Sequence, residues 1–179
     1  MGARELDKFY TNSDVAARCA EIFEEYKLEG EVVEPSAGSG AFAPYVDKML
    51  DIAPEGEGIE QGDFLEFDSA SYKNYLGNPP FGRNSKLAKE FFNHAAKGKG
   101  VIGFIVPLTF RKVSVQNTLN LNFHLIRDEL LARKSFTLEG RDYAVPCCFQ
   151  VWEWREQPRK KIVLPTKHED FEFVKDYEE

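Results

Sequence analysis

Short apolar runs alternate along the chain with amphipathic stretches and with clusters of glycine and proline. Val15, Ala16, Cys19, Ile22, Phe23 and Tyr26 recur at helical spacing behind Asn12 or Ser13 in capping position, which predicts a helix through about Leu28. Residues 31–34 read as a short strand ending in the turn Pro35-Ser36-Ala37-Gly38-Ser39-Gly40, with a short helix expected to follow to about Lys48. Residues 49–52 predict a second strand, residues 59–61 a third and residues 74–77 a fourth. Pro79 and Pro80 must end the fourth, because proline has no N–H to give a sheet ladder. Residues 86–97 read as helical, with Leu87, Phe91 and Ala95 on one face. The continuous apolar run Val101-Ile102-Gly103-Phe104-Ile105-Val106 suits a strand buried on both faces. Residues 114–131 predict a further helix, and residues 135–138 and 148–154 two final strands. Strands alternating with helices imply an α/β fold with a doubly wound, mostly parallel sheet.

Length and composition narrow this only a little. A chain of 179 residues suffices for one domain with a sheet covered on both faces. With no internal repeat or linker, that domain is expected over residues 1–165, N-terminal helical segment 1–30 included, ahead of an acidic tail over 166–179. No apolar run approaches the roughly 20 residues that cross a bilayer. The N-terminus has no secretory pattern, so an intracellular protein without a membrane partner is expected. Cys19, Cys147 and Cys148 have neither a disulfide framework nor metal-type spacing. Charge is more informative. The net charge of −7 divides into −11 over residues 1–75, from 6 Lys and Arg against 17 Asp and Glu, and +8 over residues 76–165, from 15 against 7. Residues 166–179 add −4, from 2 against 6. A basic second half offers a surface to phosphates, although simple solvated charge gives the same count.

Ligands of doubly wound sheets sit beyond the carboxyl ends of the strands, and the two most unusual segments fall there. In the glycine turn, Gly38 and Gly40 allow sharp bending and close backbone approach. A dinucleotide site is disfavoured, because Asp51 lies only 13 positions after Gly38 where that fingerprint expects about 20. A turn serving no ligand uses the same residues. Asn78-Pro79-Pro80-Phe81 is more specific. An exocyclic adenine amine is a poor nucleophile whose lone pair is delocalised into the ring. The Asn78 side-chain oxygen and the Pro79 carbonyl supply two acceptors for its N–H groups. The prolines stiffen the turn, and Phe81 offers a ring for a flipped base. The plain alternative is a rigid strand-ending turn over a buried phenylalanine.

With these motifs the chain resembles the adenine-N6 branch of the Rossmann-like, class I methyltransferases that use S-adenosylmethionine, over roughly residues 8–154. Phe9-Tyr10-Thr11-Asn12-Ser13-Asp14-Val15-Ala16 resembles the family's N-terminal cofactor motif, with Asn12 where the family usually has proline. The resemblance implies a mostly parallel seven-stranded sheet with helices on both faces and an antiparallel last strand. It implies Tyr10 and Thr11 beside the methionine end of the cofactor. Its amino-acid part falls to Glu34, Pro35, Ser36, Ala37, Gly38 and Gly40, and its ribose to Asp51, with Ile52 alongside. Asp63 would meet the adenine amine, with Phe64 nearby, while Asn78, Pro79, Pro80 and Phe81 form the catalytic signature. The implied activity is N6 methylation of adenine in DNA, with RNA adenine as the alternative. A protein glutamine is third, since amide methylation typically has tyrosine in place of Phe81. A non-catalytic cofactor-binding subunit is a further alternative, and such subunits tend to lose one of the two motifs. No metal is implied. With no separate target-recognition domain, sequence specificity falls to residues 82–85, residues 107–120, self-association or a partner chain.

Other features carry less weight. Pro146-Cys147 is similar to the nucleophile segment of cytosine-C5 methyltransferases, but that nucleophile follows the fourth strand, where this chain has Asn78. Cys147 is therefore expected as a core thiol. His94, His124 and His168 are scattered. Phe136 or Tyr143 either stacks on the flipped base from the side opposite Phe81 or belongs to the sheet core, and Trp152 and Trp154 read as packing residues. Arg111 and Lys112 beside the expected site either grip phosphate or belong to a solvated loop.

Overall fold

The computed structural model describes residues 10–132, 134–138, 141–167 and 169–170. Phe9, His168 and residues 171–179 of the expected tail lie outside the described residues. In chain order the elements are strand β1 (Tyr10–Thr11), helix α1 (Ser13–Glu24), β2 (Val32–Glu34), β3 (Lys48–Asp51), β4 (Glu60–Gln61), β5 (Asn74–Gly77) and α2 (Lys86–Ala95). They continue with β6 (Val101–Pro107), α3 (Val113–Gln116), β7 (Phe123–Leu130), β8 (Phe136–Leu138), β9 (Arg141–Tyr143) and β10 (Cys147–Trp154). Seven strands form one sheet in the order β4-β3-β2-β5-β6-β10-β7, and β1, β8 and β9 form a small second one. Neighbours from β4 to β6 are parallel, whereas β10 runs antiparallel to both β6 and β7. This is the expected α/β architecture with its antiparallel ending.

Each face of the sheet carries a core. Phe64, Tyr75, Phe92, Phe104, Phe123 and Trp152 fill one with the buried side of α2. Phe23, Val32, Phe42, Leu76, Ile105 and Phe149 fill the other beneath α1. Gly103 of β6 lets α1 approach closely, since a Cβ there would lie 2.6 Å from the Phe23 ring.

Five expectations are corrected. The helix predicted to Leu28 stops at Glu24, and the chain is redirected by buried Asn74, whose side-chain oxygen accepts from Leu28 N–H and whose amide donates back to Leu28 O. At the head of that helix, the Asn12 side chain donates to the Lys134 carbonyl instead of capping. After the glycine turn no α-helix forms. Gly38 and Gly40 take φ of +53° and +88°, Pro44 follows, and a single 3-10 turn at Ala43–Tyr45 remains, with Phe42 plugging the core. The helix predicted over residues 114–131 is a four-residue helix, α3, followed by the edge strand β7, because the open side of β10 captures that segment. Finally, β8 does not enter the main sheet. It pairs with β1, so the antiparallel ending is made by β10 and β7.

Candidate active site

β2 lies where the strand order reverses, with β3 and β4 to one side and β5 and β6 to the other. Beyond the carboxyl ends of β2 and β5 opens a cavity of about 780 Å³, a size suited to a cofactor. Tyr10, Thr11, Glu34, Pro35, Ser36, Ala37, Gly38, Asp51, Ile52, Asp63 and Phe64 line it together with Asn78, Pro79, Pro80 and Phe81. Among the expected site residues only Gly40 is not in its wall. Gly40 instead shapes the turn from behind, accepting from Ala43 N–H and donating to Ala37 O.

The glycine turn is clasped by Asp51. One carboxylate oxygen accepts from Gly38 N–H at 2.7 Å and the other from Ala53 N–H at 2.8 Å. The Tyr10 ring lies over the turn, 3.9 Å from where a Gly38 Cβ would stand, and its hydroxyl donates to the Glu55 carboxylate at 2.6 Å. Asp63 caps the turn at Phe64–Glu66, accepting from Leu65 N–H at 2.9 Å. The Phe64 ring serves the core as much as the cavity, 5.1 Å from Phe91 and 5.0 Å from His94. Ile52 is an exposed apolar side chain in the same wall.

Two of the residues lining this cavity carry a buried acceptor with no hydrogen-bond partner among the described residues: Glu34 Oε2 and Asn78 Oδ1. Leaving such an atom unmatched costs roughly 1–3 kcal/mol, which points to donors on a ligand. Burial pushes the Glu34 carboxyl well above the usual carboxylate range, and the nearby Asp51 charge pushes it further. Asn78 is oriented by its amide, which donates to Thr11 Oγ1 at 3.1 Å and leaves Oδ1 without a donor among the described residues. Phe81 is half-buried and touches both cores. The backbone beyond it is unusual: Gly82, Asn84 and Ser85 all take left-handed φ, at +66°, +54° and +58°. A Ser85–Thr109 hydroxyl contact of 2.8 Å ties this loop to the segment after β6.

Several side chains are assigned elsewhere by the geometry. Arg111 is an ion-pair partner of Asp128, which also accepts from the buried Gln150 amide at 2.8 Å, while Lys112 remains exposed. All three cysteines are buried, and desolvation raises the Cys147 thiol to about 12 and the Cys148 thiol to about 11. Trp152 is packed edge-on against Phe92, 5.4 Å between centroids. Phe136 is both buried and in the cavity wall, whereas the Tyr143 side chain lies outside what is described. Sequence reasoning missed Glu55, Leu87, Glu90, Phe91 and Val145 in the wall. Leu87 and Phe91 were visible as one apolar helix face, but nothing local distinguishes a face turned to a cavity from one turned to core. Glu55 sits in a Gly-rich stretch with no pattern to single it out.

No protein-family model matches the sequence, and no curated protein sequence matches it. Solved structures do resemble it in fold. A Pyrococcus horikoshii protein provisionally assigned as an RNA methyltransferase superposes with a TM-score of 0.60 at 14% identity, over 86% of this chain and 90% of that one. The M protein of the type I restriction enzyme EcoKI gives 0.59 at 17%, over 81% of this chain but 44% of its own length. The M. jannaschii tRNA m1G37 methyltransferase gives 0.52 at 18%, over 84% and 52%. The chain thus has the Rossmann-like fold of methyltransferases and spans about half of the two longer ones.

Proposed function

We propose that this chain transfers a methyl group from S-adenosylmethionine to the exocyclic N6 amine of adenine in a nucleic acid. The observation that carries the reading is Asn78 Oδ1, a buried acceptor just past the end of β5 with no donor among the described residues, its amide held by Thr11. Adenine N6 is a donor that such an oxygen fits. Withdrawing an N–H into that acceptor favours a lone pair free to react, and a preorganised acceptor is worth about 10²–10³ in rate. The half-buried Phe81 ring offers a stacking surface for the extruded base. Pro79 is buried and fixes the turn, so neither acceptor has to reorganise.

The residues also suit the cofactor. Glu34 Oε2 is an unmatched acceptor for an ammonium, and the Asp51 carboxylate holds the glycine turn while lining the place a ribose would take. Asp63, Ile52 and Phe91 give the rest of the wall a carboxylate and apolar surface suited to an adenine. When bound, S-adenosylmethionine supplies an electrophilic methyl on its sulfonium. Asn78 and Pro79 hold the accepting amine, Glu34 holds the cofactor's positive end, and Tyr10 with Glu55 closes the wall above the turn.

DNA is the first choice of substrate, on the strength of the Asn-Pro-Pro-Phe motif. RNA is the alternative: the P. horikoshii protein provisionally assigned as an RNA methyltransferase is similar in fold over 86% of this chain and 90% of its own. The test is transfer of labelled methyl to matched DNA, RNA and protein pools, with adenine products identified by mass. N6-methyladenine in one nucleic-acid pool, reduced about 10²–10³-fold in Asn78→Ala, is expected. No label in any pool despite cofactor binding would overturn the enzyme reading.

A further inference from the structure

Part of the cationic surface is engaged by carboxylates, whereas Lys73, Lys112, Lys160 and Lys161, among others, have no ion pair among the described residues. Arg18, Lys27, Lys48, Arg111, Arg127 and Arg155 each lie in an ion pair. A contrasting set starts immediately behind the Asn-Pro-Pro-Phe turn and follows the exposed side of α2: Arg83, Lys86, Lys89 and Lys97. Spacings of three, three and eight residues put the last three on one helical stripe continued by the turn at Ala96–Gly98. Among the described residues, Arg83 and Lys89 have no carboxylate within ion-pair distance, and Lys86 meets only Glu90, at 3.8 Å. The Lys97 ammonium donates to His94 Nδ1 at 3.1 Å, while His94 Nε2 donates to the Phe67 carbonyl at 2.8 Å, so its position is fixed without being neutralised. Asn93 stitches the stripe to the neighbouring segment, donating to Thr118 O and accepting from Asn120 N–H.

The stripe borders a shallow groove of about 410 Å³ that contains Lys86, Lys89, Asn93, Lys97 and Thr118. This groove and the cavity share Leu65 and Glu90 in their walls, so the two adjoin there. What sets this row apart is its alignment beside the cavity: Arg83, Lys89 and Lys97 have no carboxylate partner among the described residues, and Lys86 has only Glu90. A regularly spaced polyanion satisfies it.

We propose that the α2 groove is a phosphate track, along which a single-stranded stretch of the substrate nucleic acid runs away from the adenine held at Asn78. This rests on the function proposed above and adds the path of the substrate. Lys89 and Lys97 contact backbone phosphates without reading sequence, and Arg83 contacts the strand where it leaves the cavity.

The test measures binding, not turnover. Fluorescent single-stranded DNA and RNA oligonucleotides containing adenine are titrated with the protein by anisotropy over a range of salt concentrations. Lys89→Gln and Lys97→Gln are each expected to reduce the log–log salt slope by about 0.7, and the double variant by about 1.4. Lys27→Gln, just beyond α1 and across the sheet, leaves the slope unchanged. Cofactor binding, followed by calorimetry, stays at the wild-type value in all variants and reports that they are folded. Steeper binding to one oligonucleotide type assigns the track to DNA or to RNA. Wild-type slopes in the double variant would overturn the track while leaving methyl transfer untouched. Equally tight, equally lysine-dependent capture of an acidic peptide would also overturn it, since the site would then recognise negative charge without phosphate spacing.

Discussion

At the scale of single residues, Glu34 shows how the site is held ready at the expense of the empty protein's stability. Folding takes Glu34 Oε2 out of water and provides no donor, and burial raises its carboxyl well above the ordinary range. A carboxyl raised in the folded state binds its proton more tightly there than in the unfolded chain. Its contribution to stability is therefore full at pH below the unfolded value and declines as pH rises toward the folded one. Glu34→Gln removes the titration. Thermal melts over a pH series should show the variant flatter than wild type through the weakly acidic range and more stable near neutrality. The same variant should bind S-adenosylmethionine more weakly, and wild-type affinity should rise with pH as Glu34 ionises to meet an ammonium. A lower melting temperature for the variant near neutral pH would show that the carboxyl is satisfied in a way its geometry does not indicate.

Between elements, the critical contact is α1 on β6. Gly103→Ala places a methyl 2.6 Å from the Phe23 ring and 3.0 Å from the Phe149 ring, in a core with both rings fully buried. The expected loss is about 1–3 kcal/mol, measured by urea unfolding with an unchanged m-value, since overpacking forces a shift of helix or rings. Near-wild-type stability would mean that α1 is not seated as described. The same element contrast explains what the sequence revealed. β5 and β6 were legible because prolines end one and unbroken apolar residues make the other a strand buried on both faces. The site was legible through Glu34, the glycine turn and Asn78, each of which combines a rare local pattern with a strand end. β7 was not: Phe123, Leu125, Ile126 and Leu130 fit a helical face as well as a strand, and the free edge of β10, distant in sequence, decides between them. The 3-10 turn after Gly40 was missed for a similar reason, because its alternative to a helix depends on Phe42 finding the core. Glu55 was beyond sequence reading, since its role arises only when β1, paired with β8, brings Tyr10 across the cavity.

Over the whole molecule, the cavity is assembled from segments running from Tyr10 to Val145, and Phe81 in its wall touches the cores on both faces of the sheet. A ligand there bridges β1, the glycine turn, the end of β5 and the loop before β10, so it must stabilise the fold as a unit. At a ligand concentration a hundredfold above Kd the linkage gain is about 2.7 kcal/mol, which for a chain of this size raises Tm by roughly 5–11 °C. S-adenosylmethionine should therefore shift one cooperative transition upward by that amount, as read by scanning calorimetry. Asp51→Asn should reduce the shift, because its two carboxylate oxygens hold Gly38 and Ala53 in place and a carboxamide can accept only through one. NAD at the same concentration should give little shift, since Asp51 follows the glycine turn too soon for a dinucleotide's ribose. An equal response to both ligands would mean that the cavity recognises adenosine alone, and the unmatched Glu34 oxygen would then need a different donor.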